Sequence, residues 1–371
     1  MKLLRYLNRE VLTHMVAVSA VLLVIIISGR FVKYLAEAAV GDIAANILLP
    51  VMLYRMPGFL ELIIPLGLFI GILMSYGRLY VESEMVVFSA CGISQTRLAA
   101  YTLVPATMVM VLVALLSLYI TPLGAAKSQA LLDDPKSSQG INALTAGRFQ
   151  TQSGSSTVSY AESVTAETGV MNSVFLSQRT EDSDGNPTMA VTFAKEGEII
   201  FDQETGARYL ELRNGYRYQG VPGQLEYQII SFDRFGELIP EPQGSIRDVF
   251  PVDGRSTLAL LKSDSAEDIA ALQWRLSLPL TVPIVAIIAL TLSRTDHRRG
   301  RYVKMAPAFL IYLFYLMLLT NARAELEKGE MAVFPGMWGA HIFFALLALV
   351  LLFGPDVLRR YKYRRYLRAK A

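Results

Sequence analysis

Six apolar runs, each about as long as a bilayer-crossing helix, fall into two groups of three around a polar middle, at roughly 11–29, 54–76, 98–121, 271–293, 303–321 and 336–354. A spanning helix needs about 20 mostly apolar residues. The second run carries Glu61 and the fourth Arg275, each expected near a membrane edge or facing other helices. Only 18% of the chain is charged, against about 25% in a soluble domain. The pattern predicts a polytopic membrane protein with a folded insert.

Orientation follows from Lys and Arg in the short connections, because cytoplasmic loops carry the excess. Seventeen basic residues flank one set of ends: Lys2, Arg5, Arg9, Arg78, Arg97, Arg294, Arg298, Arg299, Arg301, Lys304 and seven in the tail from Arg359 to Lys370. Four flank the other: Arg30, Lys33, Arg323 and Lys328. Both termini are therefore expected in the cytoplasm and the middle on the far side. A cleaved leader ending near Ala38 is disfavoured, since its removal would place the basic C-terminal tail on the wrong side.

The middle, 123–262, holds 12 basic and 18 acidic residues. It is acidic, which argues against a nucleic-acid face. Short alternating runs predict half-buried strands: Val158 and Tyr160 against Ser159 and Ala161; Leu210 and Leu212 against Tyr209, Glu211 and Arg213; Leu225, Tyr227 and Ile229 against Glu226 and Gln228. Turn sequences at 153–155, 167–169, 184–187, 204–206 and 214–215 punctuate them. Such spacing predicts a sandwich, jelly roll or barrel. Its interior is either a dry core or an apolar space that admits a lipid.

No catalytic constellation is visible. His14, His297 and His341 lie in separate regions, and the lone Cys91 provides neither a disulfide nor a metal cluster. There is no G-x-x-x-x-G-K-[ST] loop, so ATP hydrolysis is expected in a separate partner. A G-x-S-x-G elbow is also missing. The chain is expected to be neither an enzyme nor dependent on a cofactor or metal.

Three features remain. From Gly77 to Gly92, Val81, Met85 and Phe88 recur at helical spacing with Glu82 and Glu84 elsewhere on the surface, and Gly92 supplies a stop. Such a loop helix either docks into a groove on a soluble partner or lies in the headgroup layer. Arg30 and Lys33 break the charge bias just outside the first run, three residues apart on a continuing helix, as an anionic-headgroup contact or an interfacial anchor. Pro57, Pro65, Pro279 and Pro283 lie within the second and fourth runs, where proline kinks helices unless neighbours repair the backbone.

The run Glu61-Leu62-Ile63-Ile64-Pro65-Leu66-Gly67, continuing into Gly77-Arg78-Leu79-Tyr80, Glu82-Ser83-Glu84 and Ala90-Cys91-Gly92, resembles the LptF/LptG permease family. So do Arg5-Tyr6, Arg9-Glu10 and Gln273-Trp274-Arg275, and the opening residues are nearer the LptF branch. These are membrane subunits of the ABC exporter of lipopolysaccharide. The resemblance covers the whole chain and implies an α+β membrane protein: six transmembrane helices, three plus three, with an inserted periplasmic β-jellyroll. The implied parts are 1–122 with a coupling helix at about 80–92, the jellyroll at 123–262, and 263–371.

It also implies an inner-membrane location and partners: a second, LptG-like permease, two copies of an LptB-like ATPase and a single-span, LptC-like jellyroll protein, with lipopolysaccharide as cargo. By the same resemblance Tyr80, Glu82, Ser83, Glu84, Phe88 and Gly92 would form the ATPase-coupling surface, with Glu84 in its groove. Arg30 and Lys33 would meet the lipid phosphates. Two rivals are a subunit that transmits motion without moving lipid, and a sensor; a sensor would need an output domain, and only about 17 mostly basic residues follow the sixth run.

Overall fold

A computed structural model describes residues 2–40, 45–133, 147–151, 157–165, 169–181, 187–201, 208–221, 223–224, 226–238, 251–294 and 305–370. The turn sequences at 153–155, 184–186 and 204–206, residues 167 and 168, Leu225, His297 and the basic cluster Arg298, Arg299, Arg301 and Lys304 lie outside them. The chain forms two compact units. One comprises Met1–Arg30, Met52–Ser128 and Phe250–Ala371; the other comprises Phe31–Val51 and Gln129–Val249.

Helices build the first unit and extend into the second at 31–40, 45–51 and 129–133. The described helices are α1 (Lys2–Val40), α2 (Ala45–Val81), α3 (Glu84–Ala90), α4 (Gln95–Leu115), α5 (Thr121–Asp133), α6 (Thr257–Leu260), α7 (Ala266–Leu292), α8 (Met305–Glu327) and α9 (Trp338–Lys370). A π turn, Leu116–Ile120, joins α4 to α5, and a 3₁₀ turn, Pro251–Gly254, precedes α6. Among the described residues, five helical stretches are long and apolar enough to cross a membrane: Lys2–Ala36, Asn46–Val81, Gln95–Leu132, Ala266–Leu292 and Met305–Glu327. The sixth expected span is shorter in its apolar part, Trp338–Gly354, at the lower edge of what a bilayer core of about 30 Å requires.

In α2 the buried positions Ile64, Leu68, Ile72, Tyr76 and Leu79 recur at helical spacing. They join Val285, Ile288 and Ala289 of α7, and Tyr312 and Tyr315 of α8, in one core. The face of α1 that carries Val16, Val21, Val24 and Ile25 is about 60% or more exposed, as a lipid-facing surface should be. α7 packs against α4, α8 and α9 and remains one continuous helix through Pro279 and Pro283.

The second unit contains a six-stranded antiparallel meander, β1 (Gln150–Thr151), β2 (Val158–Val164), β3 (Met171–Glu181), β4 (Pro187–Phe201), β5 (Arg208–Gly220) and β6 (Tyr227–Leu238). Every strand pairs with its sequence neighbours. Period-two alternation fails at one line that crosses five strands. Core-facing residues there are three apart: Ala161 and Val164, Met171 and Val174, Ala194 and Gly197, Leu212 and Gly215, Phe232 and Phe235. The register is unchanged across the line, because each strand takes the same extra step. Ser173 and Asn214 sit on it at φ 52° and 53°, the left-handed region that makes the step possible.

The line is a fold. Arg217 donates to Glu237 at 3.1 Å and Gln178 does so at 2.8 Å. Arg217 pairs with Ile230 and Glu237 with Leu210, so a flat sheet would hold the two side chains roughly 23 Å apart. One sheet therefore doubles over into two leaves, with Ala161, Met171, Val174, Leu176 and Leu212 buried between them. The product is the expected inserted β domain with a packed interior. On the opposite face Tyr160, Phe175, Phe193 and Tyr216 lie side by side in register. With Phe149 and Lys195 they line an open cavity of about 500 Å³.

Candidate functional site

The segment 77–92 is built in two pieces. α2 runs on through Gly77, Arg78 and Tyr80 to Val81, and a turn at Glu82–Ser83, with Ser83 at φ 64°, redirects the chain into α3. Tyr80 thus belongs to the long helix and Phe88 to the short one. α3 is pinned by Met85, which is 4% exposed and part of the helical core. Phe88 packs half-buried beside it, while Val86 and Val87 point outward at 62% and 57% exposure. The helix stops where the Ile93 N–H donates to the Phe88 carbonyl and the Gly92 N–H to that of Ser89, with Gly92 at φ 83°. This pairing satisfies the last carbonyls and calls for glycine.

Two polar contacts tie this turn to the first helix. The Tyr6 hydroxyl donates to Glu84, 3.1 Å from Oε2 and 3.4 Å from Oε1. Arg78 lies 2.9 Å from Glu10 and 3.9 Å from Glu82. Beneath them the Ser75 hydroxyl donates to the Glu10 carbonyl at 3.2 Å, with His14 Nδ1 3.2 Å from the same hydroxyl. Farther along, α1 and α2 touch backbone to backbone. A Cβ placed on Gly71 would sit 2.8 Å from the Met15 nitrogen, and one on Gly67 would overlap the Ser19 hydroxyl. Small residues four apart are the usual way membrane helices approach this closely.

Arg30 and Lys33 both lie on exposed positions of α1. The Arg30 guanidinium is 5.3 Å from the centre of the Phe59 ring, a cation–π distance. Among the described residues, Arg30 meets Phe59 rather than the 77–92 segment.

A second polar centre gathers Glu61, Asp253, Arg275 and Arg323. Arg275, 4% exposed, donates to the carbonyls of Arg255 at 2.8 Å and Asp253 at 3.0 Å and to the Thr257 hydroxyl at 2.9 Å. Asp253 also receives Arg323 at 2.8 Å. Glu61, 6% exposed, accepts from Thr121 at 2.9 Å. The roles of Tyr6 and Glu10 were not legible in local spacing. The one sequence signal was their place in the Arg5-Tyr6, Arg9-Glu10 pattern, which carries no contact information.

Comparison with known proteins covers nearly the whole chain. The family described as lipopolysaccharide export system permease LptF/LptG matches residues 5–353. The lipopolysaccharide export system permease protein LptF of Escherichia coli K12 is 30% identical over 351 residues, 95% of this chain and 94% of the relative. The LptF proteins of Escherichia coli O157:H7 and Shigella flexneri match with the same identity and coverage.

Proposed function

Because the chain belongs to the LptF/LptG family, on its LptF side, we propose that it is a lipopolysaccharide export permease subunit driven from the 77–92 segment. It would sit in an inner membrane with both termini cytoplasmic, beside an LptG-like permease. Two copies of an LptB-like ATPase would supply the energy, one of them seated on α3. An LptC-like jellyroll protein would receive the lipid from the β domain.

The observation that carries this reading is the build of α3. A seven-residue helix is too short to be stable alone, yet it is anchored by Met85 and stopped by Gly92. It holds Glu84 and Phe88 half-buried, beside exposed Glu82, Val86 and Val87. A mixed acidic and apolar knob of this kind suits a partner groove with a basic side chain in it. Ser83 sets the angle of presentation through its left-handed turn, and Tyr80, beside Gln95 and Arg294, backs the base of the knob. Arg30 and Lys33 supply the cations an anionic lipid headgroup needs.

The test is quantified co-purification with lipid crosslinking. Glu84→Ala is expected to weaken ATPase association about tenfold or more, which corresponds to about 1.4 kcal/mol. Changing both Arg30 and Lys33 to Glu is expected to cut lipopolysaccharide crosslinks several-fold while the ATPase stays bound. Unaltered association together with unaltered crosslinking would defeat the proposal.

A further inference from the structure

We propose that Tyr6 is a positioning residue for Glu84, fixing its carboxylate for the motor and making α1 move with α3. The inference rests on the reading of Glu84 as the motor contact, and adds a residue to it 78 positions away in the chain. Tyr6 itself is well placed to hold rather than to follow. Its neighbour Leu7 is 1% exposed and Val11 is fully buried, so the first turns of α1 are fixed by the core. The phenol of Tyr6, 38% exposed, reaches out from that fixed backbone to Glu84.

The chemistry leaves room for a partner. An ionised carboxylate offers about four acceptor positions, and one hydroxyl shared between its two oxygens occupies only one side. The remaining lone pairs stay available to an incoming Arg or Lys. Without the phenol, Glu84 would sample its rotamers freely, and ordering a long side chain on binding carries an entropic cost. The Glu10–Arg78–Glu82 chain makes a second tie at the same turn. A force on α3 therefore reaches α1 directly through the Tyr6–Glu84 bond, as well as through α2, whose Arg78 is tied to Glu10.

The experiment is a double-mutant cycle on the full chain, co-expressed with its partners and purified as the complex, with ATPase affinity read by titration. Tyr6→Phe keeps the ring and removes one hydroxyl. It is expected to weaken ATPase binding about three- to tenfold, in keeping with one partly exposed bond to a charged group. Tyr6→Phe combined with Glu84→Gln is expected to bind no worse than Glu84→Gln alone, because a residue that acts through another adds nothing once that one is gone. ATP consumed per lipid released should rise in Tyr6→Phe, whereas general damage would lower both and leave the ratio unchanged. Wild-type affinity in Tyr6→Phe, losses that add in the double variant, or an unchanged ratio would each overturn the role of Tyr6. If Glu84→Gln still weakens binding in those cases, the motor contact stands. If Glu84→Gln binds like wild type, the motor contact itself falls.

Discussion

Arg275→Ala is expected to release the segment between Pro251 and Ser265, at a cost of about 3–5 kcal/mol, typical of removing one partner from a buried charged network. The guanidinium satisfies two backbone carbonyls, of Asp253 and Arg255, and the Thr257 hydroxyl, all within 3.0 Å. Alanine would leave these acceptors without a donor, and each buried unsatisfied group costs about 1–3 kcal/mol. The same segment also carries Asp253, the partner of Arg323, and Arg255, which grips Asp268 through two contacts at 2.9 and 2.8 Å.

Thermal unfolding and limited proteolysis of the purified protein would read the effect, with new cleavage between 251 and 265. Arg275→Lys should recover only part of the loss, because an ammonium cannot span carbonyls that a planar fork reaches together. The competing support is apolar: Val252 and Leu260 pack on Ala271. If Arg275→Ala unfolds and is cleaved like the wild type, that packing suffices and the polar centre is incidental.

Much of the helical architecture was legible because bilayer length is a coarse, strong signal. The sixth helix fell short because its apolar part ends near Gly354, ahead of a basic continuation. Which face of each helix is buried was not legible, since a run such as Leu62–Ile72 is apolar all round and lacks the polar face that reveals orientation. The folded sheet escaped for a different reason. The alternation of Leu210 and Leu212 stops at Arg213, Asn214 and Gly215, and a three-residue step shared by five strands looks like noise in any one of them. Tyr160, apolar in the pattern, lies on the face away from the core. At the candidate site, the spacing of Val81, Met85 and Phe88 suggested one helix over about 80–92. Ser83 divides it by adopting a left-handed turn that its residue type does not announce.

Gly71→Val is expected to uncouple the protein while leaving it able to bind its ATPase. The added branch would meet the Met15 nitrogen and Cα, where a Cβ alone would stand at 2.8 and 3.1 Å. Backbone atoms in the middle of a helix cannot step aside, so α1 and α2 would have to part, at about 1–3 kcal/mol for an overpacked contact. No hydrophobic drive toward water exclusion pulls them back together within a bilayer, where close packing itself supplies the attraction. Gly67→Ala should be milder, since the nearest atom there is the Ser19 hydroxyl, the end of a side chain that can rotate. Gly71 lies ten residues before the end of α2 while α3 keeps its own core anchor in Met85, so ATPase binding should persist, weakened at most to the level of Tyr6→Phe. Lipid movement in reconstituted vesicles should fall severalfold or more, because α1 would no longer follow α2 when the motor acts. Transport at wild-type rates in Gly71→Val would show that α1 needs no tight seat on α2. The polar ties at Tyr6 and Glu10 would then have to carry the motion by themselves.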